Sequence, residues 1–143
     1  MAFSSILVAI DINDHDHARS ALEAARALSV SGAKVHILYV RYFLPVNYEG
    51  MITVDFDTQE IGEAQRLIDQ WKVEFGLEKA TFVSRRGRVR DEVLDEAQHI
   101  GADLIVIGSH QPSLSSRVLG SNAAAIVRNS PISVLIARQG KAA

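Results

Sequence analysis

Gly108, Gly120, Ser121 and Asn122 have the residue types and spacing of a phosphate cradle. Glycines let the backbone approach an anion closely. A serine and an asparagine at the start of a helix add side-chain donors to amide groups that the helix leaves unpaired. The loop between them is polar: it carries Ser113, Ser115 and Ser116, together with His110, which could contact phosphate or act as a base, and Arg117, which could pair with one. The ordinary alternative is that Gly108 only ends a strand and that Ser121 or Asn122 caps the next helix. Asp11, directly after the apolar run 6–10, is a second candidate. Its carboxylate could accept hydrogen bonds from an adenine amino group or a ribose, share a divalent ion with phosphates, or cap the following helix.

Short apolar or β-branched runs at 6–10 (ILVAI), 34–40 (KVHILYV), 80–84 (ATFVS), 104–107 (LIVI) and 133–137 (SVLIA) read as strands. Between them apolar residues recur at helical spacing. Ala18, Leu22, Ala25 and Leu28 lead to Gly32, expected to close that helix in a left-handed cap. Ile61, Ala64, Leu67, Ile68, Trp71 and Phe75 follow a helix expected from Asp57 or Thr58 to Phe75, with Trp71 packed on the sheet. Val93, Leu94 and Ala97 mark a third helix and residues 123–128 a fourth. The alternation predicts one α/β domain over residues 1–143: an open, doubly wound, five-stranded parallel sheet with four helices, in three α/β/α layers. Strands one and four would then be neighbours, bringing Asp11 close to Gly108. Residues 41–56, with Tyr42, Phe43, Pro45, Tyr48 and Gly50, read as a surface loop or a ligand lid.

Composition narrows the function. The 143 residues are 48% hydrophobic, enough for one core, and carry a net charge of −2 from 15 basic and 17 acidic residues. That balance gives no general case for nucleic acid or an anionic membrane. With no cysteine, disulfides, thiolate zinc ligands and cysteine catalysis are excluded. The first apolar run meets Asp11 too early for a signal peptide or membrane span, so a cytoplasmic protein is expected. His15 and His17 cannot share a helical face and no HExxH occurs, so no metal site is assigned. His36 reads as a packed or edge histidine; Asp11, Asn13 and Asp14 could each cap the first helix, and as ligand contacts Asp14 and Asp16 read as solvated. Arg85, Arg86, Arg88 and Arg90 surround Gly87; they could attract phosphate or an RNA backbone, but read first as a solvated loop balanced by Asp91, Glu92, Asp95 and Glu96. No GxxxxGK[ST] and no GxGxxG is present, which argues against a P-loop ATPase and a dinucleotide site. No serine-histidine-carboxylate series is visible, so no catalytic residue is assigned.

ILVAID at the start, YV closing the second strand, GADLIVIGSH and LGSNAAAIVRNSPISVLIA together resemble the universal stress protein family over essentially the full length. GSNAAAIVR is most similar to its small single-domain bacterial members with an altered glycine loop. The family pattern G-x2-G-x9-G-[ST] is matched by Gly108 and by Gly120-Ser121. Gln111 stands at the second glycine, followed by only eight residues, 112–119, before Gly120. The resemblance implies a dimeric stress-response sensor or regulator that binds ATP, ADP or AMP with Mg²⁺. It places Asp11 and Val40 at the adenine and ribose, with Ala9 and Ile10 lining the same cleft. Ile107 and Gly108 would border the nucleotide, and Gln111, Gly120, Ser121 and Asn122 would lie near the phosphates. It further implies a homodimer through strand 133–137; the sequence names no downstream protein partner. Two alternatives stay open: a dimeric scaffold without nucleotide, and a slow ATPase or a protein phosphorylated on Ser121 or a loop serine.

Overall fold

Strands and helices alternate along the chain: β1 (Ser5–Ile10), α1 (His15–Leu28), β2 (Lys34–Tyr42), α2 (Val54–Glu74), β3 (Thr81–Gly87), α3 (Val89–Ile100), β4 (Leu104–Gly108), α4 (Ser121–Asn129) and β5 (Ser133–Ala137). The computed structural model describes residues 3–42, 54–108 and 120–138. All strand pairings are parallel, in the order β3-β2-β1-β4-β5. The chain winds from β1 outwards to β3, then returns to β4 on the other side of β1. Right-handed crossovers therefore put α1 and α2 on one face and α3 and α4 on the other. This is the doubly wound three-layer architecture expected from the alternation.

Covering both faces explains why the central strands are continuous apolar runs. Ile6, Val8 and Ile10 point towards Ala18, Leu22 and Ala25 of α1 and towards Ile68 and Trp71 of α2. Leu7, Ile105 and Ile107 point the other way, towards Val93 and Ala97 of α3 and Ala123 and Ile126 of α4. Each such aliphatic side chain contributes about 1.5–3 kcal/mol by leaving water, so β1 and β4 anchor both layers at once. Trp71 lies in this core, as its helical spacing implied, with the edge of its indole set against the His15 ring at 5.4 Å.

Several boundaries differ from the sequence expectation. Helix α1 ends at Leu28 on Ser29, whose φ is −96°. Gly32, with φ +106°, instead serves the turn into β2, so the left-handed cap expected of it is not made. Helix α2 begins at Val54 and closes at Gly76, where Gly76 N–H donates to Val73 O and Leu77 N–H to Lys72 O. That double bond pattern, with Gly76 at φ +67°, satisfies carbonyls the helix cannot. Strand β3 continues past Ser84 because Arg85 and Arg86 remain paired with Val40 and Arg41 of β2. Residues 43–53, which carry Phe43, Pro45, Tyr48 and Gly50 of the expected loop or lid, lie outside the described residues. Among the described residues no helix is long and apolar enough to cross a membrane.

Candidate functional site

Where the winding reverses, the chain leaves β1 and β4 in opposite directions, and a cleft opens beyond the carboxyl ends of the strands. Ala9 pairs with Ile107, which brings Asp11 and Gly108 to the same end of the sheet. The cleft encloses about 830 Å³, and its apolar lining comes from the strand ends Ala9, Ile10, Val40 and Ile107. That volume is in the range of small-molecule sites.

Helix α4 enters the cleft with its first turn open. Its N-cap is Gly120, not Ser121 or Asn122, and among the described residues no side chain caps it. Ser121 and Asn122 are its first two helical residues, both exposed and both lining the cleft. The first backbone bond of the helix runs from Ala124 N–H to Gly120 O at 2.8 Å. The N–H groups before it have no partner within the helix, and the helix dipole adds partial positive charge at that spot. Such a turn is built to receive an anion.

Across the cleft, the turn between β1 and α1 is acidic and ordered. Asp11 is exposed, and its Oδ1 accepts from Asn13 N–H at 2.9 Å. Asp14, rather than Asp11, is the N-cap of α1; its carboxylate lies 2.7 Å from His17 Nδ1. Of the capping candidates Asp11, Asn13 and Asp14, the structure selects Asp14, which corrects its reading as a solvated residue and releases Asp11 from capping. Tyr39 is buried within β2, beside Val40, and lines the cleft. Burial raises its phenol above the ordinary 10.0; Glu60 and Asp11 add to the rise, while Arg41 and a hydrogen bond with Asn13 oppose it. The phenol thus stays protonated at neutral pH.

The arginine cluster divides in two. Arg85 turns inwards: its Nε meets Glu92 at 3.1 Å and its Nη1 meets buried Glu96 at 3.1 Å, tying β3 to α3. Arg88 and Arg90 instead line the cleft. Arg88 is the N-cap of α3 and gives it no side-chain cap bond, so a second open helix start faces the same space. The expected balance by Glu92 and Glu96 therefore holds for Arg85 and not for the cluster as a solvated loop.

Of the residues singled out in the sequence, Ala9, Ile10, Asp11, Val40, Ile107, Gly108, Gly120, Ser121 and Asn122 come together in this one cleft. His110, Gln111 and Arg117 lie outside the described residues. Sequence reasoning passed over Tyr39 as a cleft residue, read Asn13 only as a possible cap and His17 only as a possible metal ligand, and left Arg88 and Arg90 between a phosphate or RNA contact and a solvated loop; all five line the cleft. A signal was available: they lie in the carboxyl half of a strand or in the turn and first helical turn that follow it, where such sheets place ligands. His15 and His17 do not converge on a metal, and among the described residues no group of three His, Cys, Asp or Glu side chains could hold one. His36 sits on β2 with its Nδ1 2.6 Å from Thr81 Oγ1 of β3.

Comparison with known proteins agrees with this architecture. The universal stress protein family model matches residues 2–138. Universal stress protein G of Shigella flexneri is 28% identical over 141 residues, covering 95% of this chain and 99% of its own. Among solved structures, a universal stress protein in complex with cAMP aligns at a TM-score of 0.69 and 23% identity, over 96% of this chain and 98% of its own. The universal stress protein of Archaeoglobus fulgidus in complex with dAMP aligns at 0.65 and 21% identity, over 96% and 99%. At those identities the structures speak for the fold. The family match across residues 2–138, on a sheet of the same architecture, shows that this chain belongs to the universal stress protein family.

Proposed function

We propose that this protein is a nucleotide-binding regulator of the stress response, holding ATP, ADP or AMP in the switch-point cleft and acting as a cytoplasmic homodimer. The observation that carries the reading is the pairing of opposites across one cleft. The open first turn of α4 at Gly120–Asn122 suits phosphate, Asp11 suits the hydroxyl and amino donors of a nucleoside, and the apolar strand ends between them suit a purine. That two structural neighbours hold cAMP and dAMP is consistent with it. Hydrogen bonds to charged phosphate oxygens contribute about 1.5–3 kcal/mol each. A magnesium ion fits here only as a companion of the phosphates; among the described residues Asp11 and Asp14 are the cleft carboxylates, and Asp14 is engaged by His17.

Dimerisation is assigned to β5. It is an edge of the sheet, and Val134, Leu135 and Ile136 keep it apolar. Such an edge calls for a partner strand.

The test is mass spectrometry of ligand released from freshly purified protein, with calorimetry of added nucleotide, on the wild type and Ser121→Glu. A carboxylate in the first turn favours the helix and repels phosphate. The variant should therefore fold normally and lose nucleotide. A wild type that is purified empty and also rejects added ATP, ADP and AMP would favour the scaffold reading instead.

A further inference from the structure

The two ends of the cleft are both built for anions, and the nucleotide reading uses only one of them. Arg88 and Arg90 line the end next to β2 and β3, opposite the first turn of α4. Two other arginines are held by carboxylates: Arg19 by Glu74 at 2.6 Å and Arg85 by Glu92 and Glu96. Among the described residues neither Arg88 nor Arg90 has an ion pair or a side-chain hydrogen bond, and both are exposed. Two cations left without counter-charges on the wall of a concave, partly apolar site favour a negatively charged group there.

The lining between the two ends is apolar, from Ala9, Ile10, Val40 and Ile107. A single long phosphate chain reaching from one end to the other would lay its charges over that surface. A nucleoside with phosphates on two sides of its ribose would keep both charges off that surface and leave it to the purine. Helices α3 and α4 pack on the same face of the sheet, so both first turns open at its carboxyl end, onto the one cleft.

We infer that Arg88 and Arg90 form a second phosphate subsite, so that the preferred ligand is a nucleotide phosphorylated on the ribose as well as at the 5′ position. The inference rests on the nucleotide reading above and adds the class of nucleotide.

Calorimetry with AMP, ATP and adenosine 3′,5′-bisphosphate against the wild type and Arg88→Gln/Arg90→Gln tests it. The wild type should bind the bisphosphate at least about tenfold more tightly than AMP, the gain of one charge-assisted phosphate contact. In the variant that ratio should fall to about one, and in the wild type it should shrink as salt is raised. A wild-type ratio near one at low salt, or a ratio that survives in the variant, overturns the inference and leaves nucleotide binding standing. So does an arginine-dependent gain for ATP that the bisphosphate does not share, because the arginines would then serve the 5′ chain. Failure of all three ligands to bind overturns the nucleotide reading and this one with it.

Discussion

Gly108 and His17 meet so closely that a Cβ on residue 108 would stand 2.6 Å from the His17 carbonyl oxygen and 2.9 Å from its Cβ. The first turn of α1 can rest on the end of β4 only because Gly108 has no side chain. That contact closes the back of the cleft, so the glycine serves packing whether or not a ligand touches it.

Gly108→Ala should therefore cost stability, by about 1–3 kcal/mol, since backbone must shift to make room. Gly62, inside α2 with open space around it, is the contrasting position. Gly62→Ala should raise stability by about 0.5–1 kcal/mol through helix propensity alone. Urea unfolding of both variants measures this; equal effects would show that Gly108 is not crowded.

Asp11 and Asp14 separate binding from folding. Asp14→Ala removes the α1 cap and should lower stability by about 1 kcal/mol. Asp11→Ala removes an exposed carboxylate whose bond is to the adjacent turn, and should change stability by less than about 0.5 kcal/mol. If the proposed nucleotide site is right, Asp11→Ala weakens nucleotide binding about tenfold. Thermal melts and calorimetry on the two variants give the comparison.

Glu96 is buried and receives Arg85 from the neighbouring strand. Glu96→Gln should destabilise by about 1.5–3 kcal/mol, because it takes away the charge on one side of a largely buried contact. Arg85 is 30% exposed and keeps Glu92, which holds the loss below that of a fully isolated charge. A double-mutant cycle with Arg85→Gln reads the coupling directly.

Acid should act through two groups. Asp103 receives Ser4 N–H and Ser5 N–H, each at 2.9 Å, which holds its carboxyl below the ordinary 3.8. Its folded pKa is the lower one, so its contribution is present above about pH 3.8 and is lost as pH falls through the folded value. Asp103→Asn should melt lower at neutral pH, with the difference closing in that acid range. His36 is lowered from 6.5, chiefly by burial, with Lys34 adding and Glu96 opposing. Folding therefore favours the neutral ring, and stability should fall as pH drops below 6.5 towards the folded value. His36→Gln should flatten that first decline. Melting curves of the three proteins across pH 2–8 check both signs.

The sequence by itself determined the order of elements, their parallel alternation and the end of the sheet at which the cleft opens. These follow from local features: runs such as LIVI at 104–107 are apolar because both sheet faces are covered, and the 3.6-residue period of α1 records one buried stripe. Tertiary structure alone decided which acid caps α1, why residue 108 must be glycine, and that Arg85 turns to Glu96 while Arg88 and Arg90 turn to the cleft. It decided too that strand β3 carries two of the arginines read as loop. Each of these depends on which residues, distant in sequence, are set against one another by strand register and helix crossing. Periodicity reports that a residue is buried; only the assembled sheet says against what.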